Sequence, residues 1–553
     1  MNRTCSISGE SFEITDADCK FYEQYQLPLP TLCPEERLRR RITRRNFSNL
    51  YLRTCDFSGA RILSRYKEGV SHPVYSTSTW WGDSWDALSF AREIDFSQRF
   101  FPQFQELRRI VPHPSVSVAN TENCDYSNHA FYSKDCYMIF GCVRDEHCLF
   151  GHIVWNSEHC VDNLYIYECQ WCSYCVDCVG CYDVHYSTET VNCQESYFLH
   201  DCRNCSNCFG CYNLRNSSYC LFNKQYTKSE YFEQLEQVLP RSWQDVIEIN
   251  NWLEQKKRED AIFPPYFATN VEECTGNHLY YSGKLKHCFD VKRGEESKYC
   301  YTNFDIFGSY DLSFGAGRFS YESLALVDCE RNFFCNIMVN CSDAAYCDHC
   351  YSCRDIFGCV GLRNTKYAIF NRQYDKETYH ALREKLIAHM RKTGEWGEMF
   401  PSSDSPFAYN ESCAGEYLPL NKKEVMARGL RWDEKIGELL SGVEQPEGVS
   451  SVYPPISEVS DDILEKQFSC TVSNAPYKIT RAELAFYRRM NLPLPTYQPK
   501  VRSALRMAKR ARRILVSRTC AKCSRAITAA YSESEAGKVY CQECYLAELK
   551  SPA

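Results

Sequence analysis

The chain has no run of about 18 consecutive apolar residues, so it offers no segment that would cross a bilayer as a helix. Its first residues, MNRTCSISGESFEITDAD, contain no apolar stretch of signal-peptide length. A cytoplasmic location with no membrane partner is therefore expected. G-x-S-x-G, the Walker A loop, the Rossmann fingerprint and H-E-x-x-H are also missing, which removes the commonest signatures of hydrolases, nucleotide binders and zinc proteases. The 13 histidines are scattered; His147, His152 and His159 fall near cysteines without forming a nucleophile–base pattern. A formal charge of −7 gives no general attraction for nucleic acid.

What the chain has in quantity is 36 Cys, 39 Tyr and 31 Phe in 553 residues. Such cysteine usage suits a disulfide scaffold or a thiol-rich intracellular protein, and with no export signal the reduced state is expected. The length implies about three or four domains.

Two duplications organise the chain. CSISGESFEITDADCKFYEQYQLPLPT from Cys5 matches CTVSNAPYKITRAELAFYRRMNLPLPT from Cys470, 465 residues later, and the offset holds without a gap to at least Thr79. CFGCYNLRNSSYCLFNKQYTKSEY from Cys208 matches IFGCVGLRNTKYAIFNRQYDKETY from Ile356. Each of these central copies closes with an amphipathic helical pattern, the first opening on a capping box, Thr227 with Glu230. GVEQPEGVSSVYPP, 442–455, reads as a linker.

Within the first central copy every cysteine from Cys124 to Cys220 is separated from the next by a multiple of three. In the second, Cys329, Cys335, Cys341, Cys347, Cys353 and Cys359 step by six. An α-helix drifts out of such a phase within a few turns, whereas stacked short strands with corners preserve it. The fold class expected is mainly β with some α. Two cysteine-rich β-solenoid lobes, each closed by a helix, are flanked by duplicated zinc-ribbon-like terminal modules. The expected divisions are a degenerate ribbon module over 1–116, lobes over 117–265 and 266–400, an extended segment and linker over 401–460, and a C-terminal ribbon module over 461–553.

The densest cysteine stretch, ECQWCSYCVDCVGCYDV, permits two interpretations. Cys169, Cys172, Cys175, Cys178, Cys181, Cys202, Cys205, Cys208 and Cys211 are either small apolar residues in a core or an alternative metal array. On a flat strand, positions three apart face opposite sides and positions six apart share one. That places Cys169, Cys175 and Cys181 in one series and Cys172 and Cys178 in another, on different faces or corners.

The strongest chemical signal is Cys520-x₂-Cys523-x₁₇-Cys541-x₂-Cys544, the spacing of a four-thiolate zinc site. One structural Zn²⁺ is expected there. The N-terminal copy has Cys55, Ser58, Ser76 and Thr79 at those positions and should hold no metal, with Trp80, Trp81 and Trp85 supplying a substitute core. The order FEITDAD, FYEQYQLPLPTLCPEERLRRRITRRNFSNLY, WWGDSWD, cysteine repeats and LRNSSYCLFNKQY resembles a family of uncharacterised proteins. They are cysteine-rich, zinc-ribbon-containing proteins of candidate-phyla-radiation (Patescibacteria) bacteria. The resemblance implies paired cysteines at both halves of each terminal ribbon. Here Ser8, Glu36, Ser473 and Gln498 interrupt those pairs.

Two basic runs stand at matching places: Arg37, Arg39, Arg40, Arg41, Arg44 and Arg45, and Lys500, Arg502, Lys509, Arg510, Arg512 and Arg513. Beside a ribbon they are candidate contacts to RNA or DNA phosphates, or else solvated helix faces. The expected function is a non-enzymatic, zinc-binding repeat scaffold for a macromolecular partner, protein or nucleic acid. The competing expectation is a metal-handling or redox protein built on the central cysteine array.

Overall fold

The structure, a computed structural model, describes residues 1–436 and 453–549; most of the expected linker lies outside them. It is a mixed α/β protein with twelve α-helices and many short strands among the described residues. None of these helices is long and apolar enough to cross a membrane. The chain divides into two units, 1–116 with 267–433, and 117–266 with 434–553. Each unit joins a terminal module to the central lobe that is not its neighbour in sequence.

In the unit formed by 117–266 and 434–553, short strands stack in parallel with a constant offset of twelve residues. Asn128 pairs with Phe140, His152 with Leu164, and Leu164 with Val176. Parallel bridges between the strands keep the same offset, as in Glu122 with Lys134 and Asp125 with Tyr137. The local unit is a three-residue step. One residue joins the ladder and the next is left-handed, as at Asn120, Asn123, Tyr126, His129 and Tyr132 (φ 49–56°). The third points inward, and this is the position cysteine occupies.

The step of three corrects the expected facing of the cysteines. A left-handed residue turns the chain between successive inward positions, so the two-residue alternation of a flat strand never applies. Cys169, Cys172, Cys175, Cys178 and Cys181 all belong to one buried cluster, 0–2% exposed, instead of two series on different faces. Their thiols serve the backbone: Cys169 donates to the carbonyls of Tyr167 (3.4 Å) and Cys178 (3.6 Å), and Cys172 to those of Gln170 and Cys181. A small apolar side chain with a weak donor suits this lining.

The lobe in the other unit has the same ladder with two shorter repeats. Ala268 pairs with Leu279 and Tyr310 with Tyr321, both eleven residues on, against twelve for Tyr301 with Ser313 and Leu324 with Asn336. These two omissions shift the cysteine phase, which is why the second copy looks looser in sequence. Gly276 sits in the first short repeat at φ 147°, where a Cβ would lie 1.6 Å from the Cys288 carbonyl oxygen, so only glycine fits.

Each ladder is followed by a helix as expected. Lys228–Val238 starts from the Thr227–Glu230 capping box, and Lys376–Thr393 from an Asp375 cap. The equivalent tyrosines Tyr231 and Tyr379 are fully buried against the last ladder strands, each 5.8 Å from Tyr219 and Tyr367 respectively.

Because Cys169 is fully buried in its cluster, Cys169→Leu should lower the stability of its unit by about 1–3 kcal/mol through overpacking. Cys169→Ser, which keeps a donor of similar size, should cost less. Thermal unfolding followed by circular dichroism checks the order.

Candidate metal centre and the arginine clamps

The C-terminal module presents its four cysteines from two turns. The hairpin Val516–Thr519 and Ala526–Ala529 carries Cys520 and Cys523 in its tail and turn, and the strand Lys538–Val539 leads to Cys541 and the helix Gln542–Leu549. Their sulfurs lie within 4.8 Å of one another, so the group can hold a metal ion. Backbone amides are already directed at one sulfur: Cys541 N–H donates to Cys520 Sγ (3.2 Å) and Cys523 N–H reaches it at 3.5 Å. Burial pushes the Cys520 thiol up, yet these amides pull it down to about 6, favouring the thiolate a metal requires. The donor set is all sulfur and closed, with no position left for a substrate.

The N-terminal module repeats this backbone 465 residues earlier without the ligands. Its hairpin Tyr51–Thr54 and Arg61–Ser64 matches strand for strand. Cys55 N–H bonds the Ala60 carbonyl as Cys520 N–H bonds that of Arg525, and Ser76 N–H still points at Cys55 Sγ (3.3 Å). The former second pair is closed by hydroxyls, Ser76 donating to Thr79 Oγ1 at 2.8 Å. Trp80 and Trp85 are buried and 5.6 Å apart, with Trp80 Nε1 bonded to the Pro112 carbonyl; Trp81 is exposed and contributes less to that core.

The basic runs lie largely inside the fold. In one unit, Arg37 and Arg41, one turn apart on the helix Pro34–Ile42, grip the two oxygens of Asp311 at 2.9 and 3.1 Å. In the other, Arg502 and Arg506 on the helix Pro499–Ala508 grip Asp162, both at 2.7 Å. All six side chains are at most 4% exposed. The contacts are equivalent under the duplications: Arg37 lies over the Tyr299 ring and Arg502 over that of Phe150, twelve residues before each aspartate. Asp162 and Asp311 both occupy left-handed corners, at φ 57° and 59°.

The remaining residues of the two runs are placed as follows. Arg39 bonds Glu35 and Tyr409, Arg40 bonds Glu322 and Glu398, Arg44 reaches the Pro401 carbonyl, and Arg45 lies over Phe47; all four are buried. Arg510 forms an ion pair with Asp177, Lys509 bonds Asn250 and Arg513 bonds the Tyr165 hydroxyl, while Lys500 and Arg512 are exposed. The candidate phosphate contacts are thus corrected for the buried arginines, whose charge is spent on carboxylates, carbonyls and rings inside the fold. Arg506 was missed by the sequence-based assignment, although its i, i+4 spacing from Arg502 repeats that of Arg37 and Arg41.

The alternative central array does not converge. Among the described residues none of its nine cysteines joins a group of three ligand atoms within 4.8 Å. A buried group that does, His113, Asp348 and His349, is bracketed by Arg108 on Asp348 (2.9 Å) and Arg65 on His349 (2.5 Å). Two guanidiniums against one carboxylate make it a poor cation site. The His72 and His113 rings lie 4.1 Å apart, tilted by 45°, and burial, aided by Arg108 for His72 and by the neighbouring histidines for His113, holds both well below 6.5.

No family model and no curated protein matches the chain. Among solved structures, a Desulfovibrio desulfuricans G20 protein described as a candidate acetyltransferase is similar at 9% identity over 47% of this chain and 71% of its own. Its TM-score is 0.10.

Arg37→Met should destabilise its unit by about 3–5 kcal/mol by leaving Asp311 half-paired in the interior, while Arg512→Ala should change stability by less than about 0.5 kcal/mol. Denaturant titration distinguishes them. For the histidines, the unfolded chain takes up protons below about pH 6.5 and the folded rings do not. Their contribution is complete above that pH and lost as pH falls through and below it. The protection factors of amides around 65–75 and 110–116, which remove the intrinsic pH dependence of exchange, should therefore fall between pH 7.5 and 5.5, and His113→Phe should reduce that change.

Proposed function

We propose that the chain is a non-enzymatic scaffold, with one structural zinc in its C-terminal ribbon and two β-solenoid lobes that present a binding surface. The observation that carries the proposal is the four-cysteine group Cys520, Cys523, Cys541 and Cys544. Four thiolates would hold the ion, which supplies folding energy to a small hairpin-and-helix segment and no reaction. The solenoid reading is supported by the constant twelve-residue ladder and by the left-handed corner at every third residue. Four such steps make one coil with four inward and four corner positions.

Corner side chains then form columns along the lobe, such as Asn192, Asn204 and Asn216, whose amides bond one to the next at 3.4 and 3.0 Å. Regular columns of this kind suit a protein partner that runs along the coils. A nucleic-acid partner draws little support from basic runs that lie largely inside the fold. No disulfide occurs among the described residues, in keeping with a reducing, cytoplasmic setting.

Elemental analysis of reductively purified protein should find about one zinc per chain, lost in Cys523→Ser. Chelation should expose 516–549 to amide exchange and leave both lobes protected. Four or more metals, or an iron chromophore, would instead favour the central array as a metal-handling site.

A further inference from the structure

Each terminal module lies with the lobe that is more distant in sequence. The adjacent pairing would close shorter loops, and loop closure favours it. It would also find almost the same dock, because Asp162 and Asp311 stand at equivalent corners and both modules carry the arginine pair. The aspartates therefore supply affinity without choosing between lobes.

Following both duplications residue by residue, a deeply buried position in the dock changes character. Arg40 of the first module meets Glu322 at 2.6 Å, with side chains 9% and 0% exposed. Past the second eleven-residue repeat, the counterpart of Glu322 in the first lobe is Tyr174, and the counterpart of Arg40 in the last module is Leu505. Tyr174 and Leu505 lie in one apolar cluster. A buried ion pair in one unit is thus replaced by an uncharged pair in the other, in which the Tyr174 hydroxyl already bonds Arg502 and Tyr487.

We propose that this exchange, Arg40 with Glu322 against Leu505 with Tyr174, assigns each terminal module to its own lobe; the partner each surface fits is a specific half of the same chain. On the first lobe, Arg40 would be buried against Tyr174 with no carboxylate. On the second, Leu505 would cover Glu322 and leave it only the counterpart of Arg41, which stands 3.7 Å from Glu322 and already holds Asp311. Each mismatch leaves a buried charge without its close partner, and both occur together when the modules trade places, so the cost falls on the wrong arrangement alone. A second difference acts in the same direction: Arg510 pairs with Asp177 at 2.8 Å, and the counterpart of Asp177 in the second lobe is Ala325.

The test uses the full chain, refolded from denaturant, with a photo-crosslinking phenylalanine in place of Tyr25, whose ring lies 5.6 Å from that of Phe333 in the second lobe. In otherwise unaltered protein the crosslink should fall on the second lobe only. Glu322→Tyr alone should speed amide exchange in the helix Pro34–Ile42 about 100-fold, and Arg40→Leu with Glu322→Tyr should restore protection. With the discriminating pair gone, that double variant should place at least a tenth of its crosslinks on the first lobe. Leu505→Arg with Tyr174→Glu, which gives both units the ion pair, should do the same. Crosslinks confined to the second lobe in both double variants would overturn the proposal. So would a failure of both to recover protection over their single substitutions, because a matched pair should be tolerated in either unit.

Discussion

A carboxylate at a left-handed corner, held by two arginines one helical turn apart, is the contact on which each unit depends. Burying three charged groups is expensive, and the attraction offsets that cost only where the geometry is close and remaining donors are used. Here both oxygens of Asp311 and of Asp162 are taken, and an aromatic ring lies under one guanidinium of each pair. The terminal modules need this anchor because they are small. Each is a pair of hairpins and short helices, and the N-terminal one has hydroxyls where its twin has thiols. A module that cannot fill its own core is completed by the lobe on which it docks.

The lobes supply such corners as a consequence of their three-residue step. A left-handed backbone costs an L-residue about 1–2 kcal/mol, and these ladders accept it at nearly every third position. The return is a fully paired ladder and an interior lined at four positions per twelve residues. Cysteine is the side chain that fills this narrow lining while its thiol satisfies a nearby carbonyl. Abundant thiols and abundant corner side chains are two aspects of one backbone solution.

Much of this was legible in the sequence where chemistry or duplication is explicit. The paired Cys-x₂-Cys spacing located Cys520, Cys523, Cys541 and Cys544, and the 465-residue offset marked two modules whose hairpins match strand for strand. The capping box at Thr227 marked a real helix start. The left-handed residue behind the three-residue step was hidden, because Tyr126, Tyr165 and Glu168 have no local preference for positive φ and only the assembled ladder imposes it. Charge was misleading for a related reason. Arg37 to Arg45 look solvated until Asp311 and Glu322, more than 270 residues away, are brought against them.

The clamp is tested most directly by native-state amide hydrogen exchange on two single variants, Asp311→Asn and Asp162→Asn. If the aspartates anchor the modules, Asp311→Asn should deprotect the helix Pro34–Ile42 and leave Pro499–Ala508 as it was, and Asp162→Asn should do the reverse. Retention of full protection in both helices in both variants would contradict the account, because the terminal modules would then be held by packing alone.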